Sequence, residues 1–318
     1  MSSPKYKVSV IIAVYNAADT IDRCARSLFG QTLEDVEFIF VDDCSPDKSI
    51  ANLKQTAKDF PHKQFKIISH KTNQGVAAAR TTGMKAAQGK YIIHCDPDDW
   101  MELTTLERSY EAAEKYNTDI LTFGYREIKR NSTAEYRPTF EGSGLEALLK
   151  WQFSFTLWNC LVRRDLIAKN EIYPFDGINS GEDTNVMMRA YALSKKVKSI
   201  NDILYNYDRT ISDSITTQKF KINFERNIIP NISRLDMWFK EHNLPDSIML
   251  TFKAKMKGEV LFRDGMHNAS LAIKMWPEAN TLWCNMPEYS TTTRLILKAG
   301  VICPLLLQIY IRLRTHGK

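Results

Sequence analysis

The chain has 318 residues, 44% hydrophobic and 25% charged, the proportions of an ordinary globular protein large enough for one domain with an appendage or for two. Its formal charge of +6 sits in residues 251–318, which hold ten Lys or Arg against four Asp or Glu; the rest balances, no DNA-recognition helix is apparent, and nucleic acid is not an expected partner. Six histidines without an H-x-x-x-H pair and six cysteines without C-x-x-C spacing exclude the usual zinc patterns and point to free thiols in a reducing compartment.

In chain order, residues 8–14 read as a strand, too short and too polar-flanked for a signal peptide or membrane span, so a cytosolic chain is expected. Residues 19–29 carry Ile21, Cys24, Ala25 and Leu28 at helical spacing. A second apolar run, 36–41, ends in Asp42-Asp43; 49–60 read as a helix, 65–68 as a third strand, alanine-rich 76–87 as a helix and 91–95 as a fourth strand. This alternation predicts an α/β domain with a mostly parallel, doubly wound, Rossmann-like sheet flanked by helices. Farther on, 103–116 reads as a helix, 119–125 as a strand, 126–144 as a polar loop or irregular hairpin and 155–162 as a mixed apolar run. Gly181 opens a helix to about Ser194, and 203–207 alternate like a short strand. Beyond about residue 215 only helices are expected, at 220–241 and 247–266, which divides the chain into a domain of residues 1–215 and a helical C-terminal region of 216–318.

Open parallel sheets bind ligands at the carboxyl ends of their strands, and three polar clusters fall there. They are Tyr15-Asn16, Asp42-Asp43, and the acids of His94-Cys95-Asp96-Pro97-Asp98-Asp99-Trp100. Carboxylates this close repel one another; a hard divalent cation removes that cost, and Mg2+ or Mn2+ commonly keeps sites open for phosphate oxygens. The pattern suits a metal–diphosphate site; it also suits an acidic turn capping a helix from about Met101. Gly142-Ser143-Gly144-Leu145-Glu146-Ala147 fits G-x-G-x-x-A but does not follow the first strand, and 83–90 has one residue too many for a phosphate loop.

Taken together, Val8-Ser9-Val10-Ile11-Ile12-Ala13-Val14-Tyr15-Asn16, Val41-Asp42-Asp43-Cys44-Ser45, Asn73-Gln74-Gly75-Val76-Ala77-Ala78-Ala79-Arg80 and Asp96-Pro97-Asp98-Asp99 resemble the family 2 inverting glycosyltransferases of the GT-A fold. Trp158-Asn159, Gly181-Glu182-Asp183 and Tyr205-Asn206-Tyr207 continue the likeness in order, over roughly residues 7 to 215. Cys44 stands where the family often has glycine, and Pro97 where it often has serine. The resemblance implies a sugar transfer from a UDP-sugar to an acceptor hydroxyl, with Mg2+ or Mn2+. It places Ala13, Tyr15 and Asn16 on the nucleotide side, with Tyr15 stacked on uracil and Asp43 or Asp42 accepting its N3–H. Asn73 and Gly75 would shape the nucleotide loop, Arg80 would face the base and diphosphate, and Asp96 would meet ribose or metal beside Pro97. Asp98 and Asp99 would bear the metal. Asp183 would be the base, Glu182 its neighbour, and Trp158 an acceptor platform. Each assignment has an ordinary counterpart: a rim tyrosine, an Asx turn at Asp42-Asp43, a surface arginine, a capping box from Ser180 to Asp183, a core tryptophan.

Residues 299–311 carry no charge and are flanked by Arg294, Lys298, Arg312, Arg314 and Lys318. That segment is too short to span a bilayer; it fits a peripheral contact at the inner face of the cell membrane through residues 294–318, or a helix docked on protein. A lipid-linked or glycan acceptor would suit the first. Two other functions stay in view: a sugar-nucleotide nucleotidyltransferase and a module that only binds a nucleotide sugar. The first wants a glycine-rich, basic loop after the first strand, which Tyr15-Asn16-Ala17-Ala18-Asp19 is not; the second fits poorly with the presence of both Asp98 and Asp183.

Overall fold

The computed structural model describes residues 4–210, 224–262 and 268–316, and the chain divides into two units, Met1–Ser214 and Ile215–Lys318. In the first unit, β1 (Tyr6–Val14), β2 (Val36–Asp42), β3 (Phe65–Ser69) and β4 (Gly89–His94) alternate with α1 (Ile21–Phe29), α2 (Ser49–Ala57) and α3 (Val76–Ala86). The strands lie in the order β3-β2-β1-β4, all parallel. Val14 pairs with Asp42 and Asp42 with Ser69, so the polar clusters after β1 and β2 leave the sheet at one level.

Period-two burial explains the layering. Val8, Val10, Ile12 and Val14 point into one core with Ile21, Leu28 and Phe29 of α1, while Ile11 points to the other face. There a Cβ on Gly83 would come within 2.3 Å of Ile11 Cγ2, so this glycine lets α3 lie close on the sheet. Arg80, one turn earlier on α3, is thereby carried over the strand ends. Each fully buried aliphatic contributes about 1.5–3 kcal/mol.

The second half of the sheet departs from simple alternation. After β5 (Trp100–Met101), α4 (Thr105–Tyr116) and β6 (Ile120–Lys129) come β7 (Ser132–Tyr136), β8 (Glu141–Gly142), α5 (Gly144–Leu149), β9 (Cys160–Arg163), α6 (Arg164–Lys169), α7 (Glu182–Leu193) and β10 (Val197–Asp208). β9 enters antiparallel between β4 and β6, and β10 runs parallel to β6. The stretch 126–144 is mainly an ordered hairpin of β6 with β7. No helix begins near Met101: Trp100 and Met101 pair with Asn206 and Tyr205, and the helix starts at Thr105. β10 is longer than its alternating core, with register shifts between Ser199 and Tyr205.

In the second unit a single π turn, Phe224–Ile228, leads into α8 (Ile229–Glu241), followed by α9 (Asp246–Phe262), α10 (Ala269–Lys274), α11 (Asn280–Cys284), α12 (Thr291–Ile302) and α13 (Pro304–His316). Positions 220–223 and 263–266 of the expected helices lie outside the described residues. Among the described residues no strand follows Asp208. Trp283, Leu261, Leu297, Leu307 and Ile311 form a separate core. Lys257 is buried within it, yet its ammonium donates to the carbonyls of Ala272 (2.6 Å) and Met275 at the end of α10, where a helix favours positive charge. Burial pushes this lysine down to about 8. All six cysteines are free; Cys44 and Cys303 are exposed and the others buried.

Candidate active site

Tyr15 follows β1 and is 49% exposed, and Asn16 takes a left-handed φ of 51° that turns the chain at the strand end. Ala13 pairs with Val41 inside the sheet. At the end of β2 the two adjacent acids diverge. Asp42 is half-buried and accepts from Ser45 N–H at 2.9 Å. Asp43 is buried, and its carboxylate accepts from His70 Nδ1 (2.7 Å), Gln74 N–H (2.9 Å) and Gly75 N–H (2.7 Å). It therefore shapes the 73–75 loop, which Asn73 Oδ1 also holds through Gly75 N–H at 3.1 Å. Gly75 has φ 91°, and a Cβ there would lie 2.2 Å from Asn179 Oδ1. Cys44 takes φ 60°, a left-handed conformation that disfavours a side chain. Cys44→Gly is accordingly expected to raise stability by about 0.5–1 kcal/mol, read as a higher thermal midpoint.

Arg80 is no surface arginine. It is 5% exposed and contacts carboxylates from two distant parts of the chain. Its Nη2 donates to Asp96 Oδ1 at 2.8 Å, and its Nη1 to Glu182 Oε1 at 2.5 Å and to Asp183 Oδ1. Burial alone would discharge a base, but Asp96 and Glu182 more than offset it, and the guanidinium is held still more firmly protonated than usual. Glu182 and Asp183 occupy the first turn of α7. Gly181, with φ 75°, is the N-cap, so the capping box from Ser180 does not form and Asp183 is left to face Arg80. Its other oxygen accepts from Leu157 N–H at 3.4 Å.

After β4 the acid run splits by direction. Asp98 stays partly open; burial and then the Asp96 carboxylate push it up to about 6. Asp99, expected beside it as a metal ligand, is fully buried: Tyr205 Oη donates to Oδ2 at 2.8 Å and Asp208 N–H to Oδ1 at 2.7 Å. Burial, then Asp96 and Asp98, push it well above the usual carboxylate range. Its oxygens are spent inside the protein, which gives it a structural place. Among the described residues no three His, Cys, Asp or Glu side chains form a metal cage. The remaining pair, Asp96 and Asp98, is a hard-oxygen donor set with excess negative charge, and it fits Mg2+ or Mn2+ completing its shell with water and phosphate oxygens. Pro97 lies between the two acids.

Trp158, expected as an acceptor platform or as core, is core. It is 5% exposed and stacks on Tyr205 (4.6 Å between centroids) and Tyr207 (5.5 Å). Through Tyr205, whose hydroxyl also accepts from Asp96 N–H at 3.1 Å, it buttresses the acid run. Asn159 Oδ1 accepts from Ser154 and Thr156 hydroxyls at 2.7 and 2.8 Å, bracing the segment that reaches Asp183. Sequence reasoning missed Arg23. It donates from α1 to Asp98 O (2.6 Å) and Asp208 Oδ2 (2.7 Å) and lies 4.0 Å above Trp100. Nothing in its helical spacing distinguishes it from a solvent-facing arginine.

A family model described as Glycosyl transferase family 2 matches residues 9–180. The chain is 33% identical over 271 residues to the cholesterol galactosyltransferase of Borreliella burgdorferi, covering 78% of this chain and 74% of that protein. It is 30% identical over 225 residues to the uncharacterized glycosyltransferase EpsJ of Bacillus subtilis, covering 67% and 64%. The crystal structure of S. aureus TarS 1–349 in complex with UDP-GlcNAc superposes with a TM-score of 0.72 at 18% identity, over 98% of this chain and 92% of that one, a likeness of fold. Sheet order, clustered acids and family match agree: the chain is a glycosyltransferase enzyme of the GT-A fold and belongs to glycosyl transferase family 2.

Proposed function

We propose that residues 1–215 transfer a sugar, with inversion, from a UDP-sugar to an acceptor hydroxyl in the synthesis of a cell-surface polysaccharide or lipid-linked glycan. The observation that carries this reading is the Arg80 cluster, which ties the strand-end acid Asp96 to Glu182 and Asp183 of α7. In this reading Tyr15 stacks on the base beside Ala13 and Asn16. Asp42 is the better placed of the two acids to accept the uracil N3–H, because Asp43 already accepts three hydrogen bonds. Arg80 faces the diphosphate. Asp183 takes the proton of the acceptor hydroxyl, on the side of the sugar opposite the leaving group. Asp98, with Asp96, would hold a divalent cation, which would supply neutralisation of charge on the departing diphosphate.

Relatives support the acceptor class: one is named for galactosyl transfer to cholesterol, and another is the poly(ribitol-phosphate) beta-glucosyltransferase of Bacillus spizizenii. The nucleotidyltransferase reading meets a physical obstacle in the loop after β1. Ala17 N–H already donates to Ser49 Oγ and Ala18 N–H to Asp47 Oδ2, both at 2.8 Å, so these amides are not available to hold a triphosphate. A place for the enzyme in the cytoplasm, at the inner membrane face, follows if its acceptor is lipid-linked.

The test is UDP release from UDP-glucose, UDP-galactose or their N-acetyl forms in the presence of acceptor. EDTA is expected to abolish turnover, and Mg2+ or Mn2+ to restore it; full activity after exhaustive chelation would remove Asp96 and Asp98 from the metal role.

A further inference from the structure

The end of the helical unit presents a surface that the transfer chemistry does not use. α12 and α13 pack on each other, with Gly300 against Leu307: a Cβ on that glycine would sit 2.6 Å from Leu307 Cβ. Leu297, Leu307 and Ile311 face inward, into the core of this unit. The opposite stripe is not covered: Leu295, Ile302, Leu305, Leu306, Ile309 and Leu313 are 46–86% exposed. Their spacing, i and i+7 on α12 and i, i+4, i+8 from Leu305 on α13, places each set on one helical face. Six large aliphatics exposed within nineteen residues exceed the scattered apolar surface normal for a soluble protein.

The charge within this segment of the sequence is one-sided. Residues 289–318 contain no Asp or Glu but five basic residues, Arg294, Lys298, Arg312, Arg314 and Lys318. Neither helix is long and apolar enough to cross a membrane, and the first ends at Ile302 before Pro304 opens the second. A second copy of the chain is a poor occupant. A two-fold interface would set the ridge against itself and bring cation against cation without a single acid in the segment to pair them. An anionic bilayer surface meets both requirements, taking the aliphatics into the acyl boundary and the cations among the headgroups.

We propose that the α12–α13 hairpin is a monotopic membrane-docking element that lays the Leu295–Leu313 ridge into the interface of an anionic lipid bilayer. The assignment stands on this unit alone and holds whether or not the donor is a UDP-sugar. The test is co-flotation of the full chain with phosphatidylglycerol/phosphatidylcholine vesicles and with phosphatidylcholine vesicles. Binding is expected to the first, weakened by high salt. Ile302→Asp with Leu305→Asp is expected to lower the partition coefficient at least about tenfold. Lys298→Gln with Arg312→Gln, which leaves the apolar ridge intact, should lower it about fivefold per charge. A polarity-sensitive dye on exposed Cys303, in a Cys44→Ser background, is expected to shift to the blue only with anionic vesicles. Equal helicity and melting midpoints establish that the variants fold; should the aspartate pair unfold, the charge pair and the dye decide. Absence of vesicle binding by the folded wild type would overturn the proposal. So would a dimer, seen by light scattering, that the ridge substitutions dissociate.

Discussion

Asp183→Asn is expected to lower kcat by about 10²–10⁴-fold while UDP binds within about twofold of wild type, the two read by UDP release and by calorimetry. The substitution is nearly isosteric. The amide oxygen can still accept from Arg80, and Asp96 and Glu182 continue to hold that guanidinium. What is lost is the ability to take a proton, so the effect belongs in turnover rather than in donor affinity. The first-turn position of α7 supports this separation, because the N-cap of that helix is Gly181 and not Asp183. Near-normal turnover in a folded Asp183→Asn protein would remove it from the base role.

Arg80→Met is expected to destabilise the first unit by about 3–5 kcal/mol, on the order of 10 °C in the thermal midpoint, and to abolish transfer. The methionine fills comparable space. The three carboxylates Asp96, Glu182 and Asp183, however, are left facing one another with no cation between them. Removing one partner of a buried ionic cluster costs more than the cluster ever contributed, because the remaining charges stay desolvated. Arg80→Lys keeps the charge but cannot reach two sides of the cluster with a planar fork, so it should fall between the two. A melting midpoint unchanged in Arg80→Met would mean that the carboxylates do not converge.

The parallel half of the sheet was readable because its runs are long and their periods clean: 8–14, 36–41 and 91–95 alternate with apolar stripes at helical spacing. β9 was less so, since four residues of a mixed apolar run do not declare an antiparallel insertion, and neither was β10, whose more polar start hides six of its twelve residues. At the site, residue type located the clusters but not the direction of each side chain. Asp98 and Asp99 are indistinguishable as letters, and only pairing with Tyr205 and Asp208 turns the second inward. Asp42 and Asp43 divide in the same way around the 73–75 loop. Trp158 was ambiguous because a large aromatic beside a site and one beneath it have the same local neighbours in sequence. Arg80 stood out only through the family resemblance, with a surface arginine as the alternative, because its three carboxylate partners lie 16, 102 and 103 positions away.

The antiparallel insertion of β9 sets the order in which this molecule can be completed during synthesis. β4 and β6 flank a gap that only Cys160–Arg163 fills, and β4 has been made well before that strand leaves the ribosome. At 5–20 residues per second the open interval lasts roughly 3–13 s. Throughout it, β4 offers an unpaired, strongly apolar edge of the kind that recruits other chains. A nascent chain that already contains nearly every residue proposed for the nucleotide side is therefore at its most vulnerable to aggregation, and chaperone demand should peak there and end when Arg163 pairs with Tyr91.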